Sequence, residues 1–139
     1  MNKIEKWKEE FNYLDENDRL IYIIDLAKHI TSLPKELRTE DRLVRGCMSK
    51  IWIDVGVVDN LVKVYYDSDA MITKGITSIV CDCFNDSTID ECKEISGDDF
   101  LELGIVELLS QQRRNGLGNL IATIISRFDQ LVKNQREQI

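Results

Sequence analysis

Two apolar runs in the middle of the chain constrain its fold most. Ile51 to Val55 and Leu61 to Tyr66 are rich in β-branched and aromatic residues, a composition that favours strands. Asp59-Asn60 lies between them and predicts the turn of a β-hairpin. Leu43-Val44 is a further short apolar pair just before the hairpin. We therefore expect an antiparallel sheet of about three strands.

Helical patterns flank this hairpin on both sides. Apolar residues recur at spacings of three and four, which is typical of amphipathic helices. Thr88-Ile89-Asp90-Glu91 also fits a capping box and predicts the start of a short helix. The order of helices, hairpin and helices predicts an α+β fold. The longer helices are expected over Ile4–Leu14, Arg19–Ile30, Ala70–Phe84 and from near Asn115-Gly116 to Leu131.

Length and charge narrow the class of protein. A chain of 139 residues with no linker or low-complexity tract predicts one domain, residues 1–139. The net charge of −7 and the absence of a dominant basic cluster argue against nucleic acid as a partner. The charged N-terminus and the lack of a run of about 20 apolar residues argue against a signal peptide and a membrane span. We expect a cytoplasmic protein whose four cysteines are thiols.

Cys47 is the thiol most suited to chemistry. It follows Gly46 in a polar, irregular stretch that carries Arg42 and Arg45 before it and Lys50 after it. Positive charge lowers the pKa of a thiol, and the thiolate is the nucleophilic form. Gly46 has no side chain to block an approaching group. A single Gly-Cys pair is weak evidence, and on spacing alone a hairpin cysteine without a role is the better explanation.

The other cysteines and the single histidine favour structural roles. Cys81 and Cys83 lie two apart on a predicted helix and point about 200° away from each other, so they cannot chelate one metal ion. Cys83 shares the apolar face of that helix, and Cys92 lies in a charged segment without ligand-like neighbours. His29 ends a helix, where positive charge is favourable. A Cys–His nucleophile pair would require the fold to bring His29 to Cys47.

Carboxylates occur in two close pairs. Asp67 with Asp69 is best explained as helix caps, and Asp98 with Asp99 as a solvated turn. No phosphate-binding loop, dinucleotide fingerprint or zinc motif is present in the sequence.

Several blocks together resemble the SufE family of sulfur-acceptor proteins. The central block is Val44-Arg45-Gly46-Cys47-Met48-Ser49, followed by a strand that contains Trp52. The chain departs from the family pattern at Leu108, where a histidine is usual, and at Ser110-Gln111-Gln112, which replaces a Ser-Pro-Ser turn. The other blocks are Tyr22–Leu26, Leu37–Arg42, Asp67–Gly75 and Leu109–Leu117.

The resemblance implies a SufE/IscU-like fold in which Cys47 accepts sulfur as a persulfide. It places Cys47 at the tip of a loop, partly sheltered at rest, with Met48 or another apolar side chain contributing. An arginine near that loop could stabilise a thiolate or only pair with the carboxylates. The residues that the resemblance assigns to the loop and its support are Arg45, Gly46, Ser49, Asp67, Asp69, Lys74 and Arg113.

The resemblance also implies the partners. The donor would be a PLP-dependent cysteine desulfurase of the SufS type, and the acceptor a scaffold of the SufBCD type. The chain itself would be a sulfur carrier and desulfurase activator rather than an enzyme, with no cofactor and no metal. Two alternatives remain at this point: an iron–sulfur scaffold of IscU-like fold, and an adaptor that uses no thiol chemistry.

Overall fold

The computed structural model describes residues 3–30, 32–47 and 49–137. The helices are α1 (Lys3–Asn12), α2 (Glu16–Lys28), α3 (Met71–Phe84), α4 (Ile89–Lys93), α5 (Gly97–Leu101) and α6 (Gln111–Glu137). The strands are β1 (Ile51–Val58) and β2 (Leu61–Ser68). Short 3-10 turns occur at Lys35–Leu37, Glu40–Arg42 and Val106–Leu108.

The two strands form an antiparallel hairpin, as the sequence predicts. Val55 lies opposite Val64 in the register. Asp59 and Asn60 make the turn with φ angles of 52° and 65°. Two successive residues in the left-handed region are typical of a type I′ turn, whose twist matches that of the strands it joins.

The predicted third strand is wrong. Leu43 forms an isolated bridge with Trp52, and the Val44 N–H donates to the Ile51 carbonyl at 2.8 Å. The pairing ends there because the chain turns at Gly46, which has a φ of +81°. The Arg127 guanidinium also donates to the Ile53 carbonyl, so the group on β1 that further pairing at Arg42 would use is already hydrogen-bonded. In the described part of the chain the sheet has two strands.

Helices cover the hairpin and build the core. The packing of α3 is against β2 on one side and α2 on the other, while α6 packs against β1. Their apolar faces supply the side chains expected of a buried core. The largest fully buried side chains include Phe11, Ile23, Ile53, Phe84, Phe100, Ile124 and Phe128.

Of the predicted helix starts, the one at Thr88 is confirmed and the one near Asn115-Gly116 is wrong. The box at Thr88 is confirmed, because the Thr88 Oγ1 accepts from the Glu91 N–H at 3.2 Å and Glu91 accepts in return. The last helix begins at Gln111, earlier than predicted, because Ser110 accepts the Arg113 N–H at 3.4 Å. The Asn115-Gly116 pair therefore lies inside the helix rather than at its start.

Three cysteines lie in the core. Cys81, Cys83 and Cys92 are 0%, 3% and 2% exposed. Core packing of Cys81 and Cys83 was predicted and is confirmed. Cys92 is also buried, although the sequence around it is charged, and its thiol lies 3.5 Å from the Phe84 carbonyl.

No helix in the described ranges has the length and apolar character needed to cross a bilayer.

Candidate functional site

Cys47 lies in the loop that leads into β1, against the N-terminal half of α6. Gly46 turns the chain just before it, with a φ of +81° that favours glycine. The Cys47 side chain is half-buried, and its Sγ donates a hydrogen bond to the Gly116 carbonyl at 3.3 Å. The loop thus turns its thiol inward, toward the helix.

The thiol borders a small, mainly apolar cavity. Its volume is about 100 Å³, several times the space that one water molecule needs. Ser49 and Thr73 line one side, and their hydroxyl oxygens lie 3.3 Å apart. The cavity is large enough to shelter one additional sulfur atom on Cys47. Its apolar lining is made by Ile51, Ile76, Leu109, Leu117 and Leu120.

Burial raises the pKa of the Cys47 thiol, because a thiolate is poorly solvated in this position. This reverses the sequence prediction that nearby cations would lower it. Arg42 is directed to Asp54, with Nε and Oδ2 3.5 Å apart, and Arg45 is exposed to solvent. Neither arginine lines the cavity. In this arrangement Cys47 is a protected thiol rather than an activated nucleophile.

Arg113, like Ser49, is a predicted support residue that lies at the cavity. It belongs to the first turn of α6 and lines the same space as Cys47 and Ser49. Its side chain is exposed, so a cation stands at the mouth of the cavity. A charge-assisted contact with an incoming or departing anion is chemically possible there.

Asp67 and Lys74 form a buried ion pair outside the cavity lining. The Lys74 Nζ lies 3.2 Å from Asp67 Oδ1, and the Arg38 Nη2 lies 3.0 Å from Oδ2. The same carboxylate accepts the Leu33 N–H at 3.0 Å. Asp67 therefore joins three segments of chain, and its predicted role as a helix cap is wrong.

Asp69 fixes the end of the Cys47 loop. Its Oδ1 accepts the Lys50 N–H at 3.0 Å, and its own N–H donates to the Lys50 carbonyl at 3.2 Å. It does not cap α3, where Ala70 is the N-cap residue without a side-chain bond. Its contribution to the site is to hold the backbone three residues beyond Cys47.

Three other predicted features lie elsewhere. The His29 Nδ1 is 2.9 Å from the Asp25 carbonyl on its own helix, and His29 does not line the Cys47 cavity. Asp99 accepts the Ser96 N–H at 2.9 Å in a capping box, so it is more than a solvated turn. Met48, expected to shelter the thiol, lies outside the described residues. Within the described ranges no three His, Cys, Asp or Glu side chains are grouped as metal ligands would be.

Sequence reasoning missed two residues of α6 that hold the loop. The Asn119 Nδ2 donates to the Gly46 carbonyl at 2.9 Å. Arg127 donates to the carbonyls of Asp41 and Arg42, each at 3.1 Å, as well as to those of Leu43 and Ile53. Helical spacing could have grouped these two residues with Gly116, since positions 116, 119, 123 and 127 share one face of a helix.

A larger groove of about 820 Å³ runs between α5 and α6. Leu101, Ile121 and Ile125 line it together with Asp129 and Lys133. It contains no thiol, so the smaller cavity is the one with reactive chemistry.

Comparison with known proteins decides the family. The sequence profile described as the Fe-S metabolism associated domain, SufE, matches residues 5–128. The chain belongs to the SufE family. A SufE-like protein of Rhizobium meliloti (strain 1021) is 34% identical over 132 residues, covering 91% of this chain and 94% of that protein. The chloroplastic/mitochondrial SufE-like protein 1 of Arabidopsis thaliana is 30% identical over 96 residues, which are 68% of this chain and 26% of the relative.

The fold agrees with this assignment. The solution structure of a hypothetical protein from Thermus thermophilus superimposes with a TM-score of 0.80 at 16% identity, covering 96% of this chain and 99% of that one. The predicted α+β class is confirmed, with one strand fewer than expected. SufE membership gives the chain a role in iron–sulfur metabolism.

Proposed function

We propose that this SufE protein is a sulfur carrier for iron–sulfur cluster assembly. Cys47 accepts sulfur from a PLP-dependent cysteine desulfurase of the SufS type and holds it as a persulfide. The chain stimulates the desulfurase by removing its product, and it passes the sulfur to a scaffold of the SufBCD type. It acts as a carrier with a nucleophilic cysteine, and catalysis of the desulfuration belongs to the partner.

The observation that carries the proposal is the position of the Cys47 thiol. It borders an apolar cavity with spare volume, on a loop rather than a helix or strand. A persulfide exposed to the cell would be reduced by small thiols, so a carrier gains from such a shelter. The other three cysteines are packed in the core, where a donor enzyme cannot reach them.

The transfer step is an exchange between sulfur atoms. The Cys47 thiol loses its proton, and the thiolate attacks the outer sulfur of the desulfurase persulfide. A new sulfur–sulfur bond forms on Cys47 while the old one breaks. The desulfurase cysteine leaves as a thiolate and takes up a proton, so the exchange needs no external oxidant or reductant.

In this proposal the loop moves for the exchange step. The thiol now donates inward to Gly116, and burial raises its pKa. A displaced loop exposes the thiol to the donor and lets water or the partner solvate its thiolate. Arg113 lines the cavity, and in this proposal its charge stabilises the anion during exchange or storage.

The test is to incubate the protein with a SufS-type desulfurase and cysteine and to locate the added sulfur by peptide mass spectrometry. We expect one sulfur atom on Cys47 and an increased desulfurase turnover. Cys47→Ala should lose both while keeping its melting temperature, because a half-buried loop residue contributes little to the core.

Cys92→Ala is the matched control, because it removes a buried thiol and leaves Cys47 in place. Its stability should fall, yet the folded protein should still accept sulfur. Undiminished stimulation by Cys47→Ala, or sulfur found on Cys92 in the native protein, would contradict the proposal.

A further inference from the structure

One side chain of α6 holds the tip of the Cys47 loop. The Asn119 amide donates to the Gly46 carbonyl at 2.9 Å, and Asn119 itself is exposed on the helix. The residue next along the loop, Cys47, bonds to Gly116 one helical turn earlier. The tip and the thiol are therefore fastened to neighbouring points on the same helix face.

The tip is shaped to fit this amide. A methyl group added to Gly46 would overlap the Asn119 Nδ2 and lie 3.1 Å from its Cγ. The φ of +81° at Gly46 points its carbonyl toward the helix at little cost for glycine. Glycine at position 46 therefore allows both the turn of the chain and the close contact with Asn119.

The two ends of the loop are fixed by other contacts. The Val44 N–H donates to the Ile51 carbonyl at 2.8 Å, next to the carbonyls bound by Arg127. At the other end, Lys50 is bonded through both of its backbone groups to Asp69. The described residues Arg45 to Cys47 therefore lie between two fixed points, Val44 and Lys50.

We propose that Asn119 is the positioning residue that holds the Cys47 loop in its sheltered position, and that release of its hydrogen bond to Gly46 frees the thiol for exchange. The use of this hydrogen bond in sulfur transfer rests on the proposed sulfur-carrier function. Its effect on how readily reagents reach Cys47 does not depend on that function.

A single amide–carbonyl bond suits this role. Such a bond shifts the equilibrium between the sheltered and the displaced loop by a factor of about three to ten. This is enough to favour the sheltered position, and a docking partner can overcome it. Because water can replace both partners at the surface, its loss leaves no buried group unsatisfied.

The experiment measures alkylation of Cys47 by iodoacetamide in Asn119→Ala and in the parent protein, with the modified peptide identified by mass. We expect Asn119→Ala to react about three- to tenfold faster at an unchanged melting temperature. Asn134→Ala is the matched control, because it makes the same change on an exposed position of α6 where the side chain contacts Gln130. The control should react at the parent rate.

A second variant tests the contact from the loop side. Gly46→Ala displaces the Asn119 amide and should also accelerate alkylation. In the double variant the two effects should not multiply, because each removes the same hydrogen bond. Fully multiplicative effects would show that the two residues act independently, and the inference would fail.

The link to sulfur transfer is tested separately by loading Cys47 with a desulfurase and then adding glutathione. Asn119→Ala should lose its persulfide faster than the parent and the Asn134→Ala control. If alkylation is accelerated but neither protein accepts sulfur, the positioning role stands and the sulfur-carrier function fails. Alkylation of Asn119→Ala at the parent rate would overturn the positioning role, whatever the outcome of the sulfur assay.

Discussion

At the scale of single residues, the Cys47 thiol is held in the form that reacts least. Its hydrogen bond to the Gly116 carbonyl requires the proton, and the apolar cavity disfavours the charge. Both effects act in the same direction, and burial raises the thiol pKa. Burial and this hydrogen bond therefore favour the thiol over the more nucleophilic thiolate.

The pH dependence of Cys47 follows from this burial. The protonated thiol stabilises the sheltered loop below the ordinary thiol pKa, and that stabilisation is lost as pH rises through the raised pKa. We expect the alkylation rate of Cys47 to rise with pH, with a midpoint above that of a free cysteine. The measurement is a pH–rate profile against a peptide covering residues 42–52. A midpoint at or below that of the peptide would contradict the expectation.

The core thiols are expected to matter for stability alone. Cys81 is fully buried, and burial raises its thiol pKa well above the usual range. Cys81→Ser places a hydroxyl in apolar surroundings and should cost about 1–3 kcal/mol of unfolding free energy. Urea denaturation measures this loss, with Asp98→Asn, at an exposed position of α5, as the control. The folded Cys81→Ser protein should accept sulfur on Cys47 as the parent does, and failure to do so would assign Cys81 a function.

At the scale of elements, α2 and α3 pack closely because of Gly75. A methyl group there would lie 2.7 Å from the Ile23 Cγ2 and would overlap the backbone of α2. Backbone cannot yield as a flexible side chain does, so the helices would have to separate.

We predict that Gly75→Ala destabilises the protein by about 2 kcal/mol or more, as overpacking of a core does. Gly118→Ala is the matched control, because Gly118 is also helical and has open space around it. That control should gain up to about 1 kcal/mol from helix propensity. Thermal denaturation of both variants measures the difference, and equal melting temperatures would disprove the close contact.

The elements were predictable where local signals decide them. The hairpin, its Asp59-Asn60 turn and the capping box at Thr88 all follow from short stretches of sequence. The third strand failed because a distant side chain, Arg127, binds the Ile53 carbonyl, which further pairing at Arg42 would need. The early start of α6 was missed because Ser110 caps it in place of the expected glycine boundary.

The residues at the cavity were predictable from the sequence, and the contacts that hold the loop were not. The loop motif and the resemblance pointed to Cys47 and to Arg113, which the fold brings to one cavity. Asp67 and Lys74 were assigned to the loop by nearness in the family pattern, yet they pair with each other, and Asp67 also pairs with Arg38. Asn119 was missed because an exposed asparagine on a helix looks the same whether or not a loop lies against it.

At the scale of the whole molecule, Asp67 is the point where distant segments meet. It lies near the end of β2, accepts from Leu33 after α2, and pairs with Lys74 on α3 and with Arg38. Asp67 is 1% exposed, so every one of these contacts replaces lost solvation.

Asp67→Asn should cost about 3 kcal/mol of unfolding free energy, because it leaves the buried Lys74 ammonium without its counter-ion. Asp86→Asn is the control, since Asp86 pairs with Lys63 at the surface and exposed pairs contribute little. Chemical denaturation at neutral pH compares the two variants. Equal losses from both would show that the buried pair is no stronger than a surface one.

Asn119, Arg127 and Asp69 hold the Cys47 loop through its backbone. Asn119 binds the carbonyl of Gly46, Arg127 binds those of residues 41–43, and Asp69 binds both backbone groups of Lys50. Every amino acid has a backbone carbonyl, and every one except proline has a backbone N–H. Substitutions at Arg45 or at Lys50 by residues other than proline therefore keep these hydrogen bonds. The charge of the surface around Cys47 can therefore change at these two positions without loss of the hydrogen bonds that hold the loop.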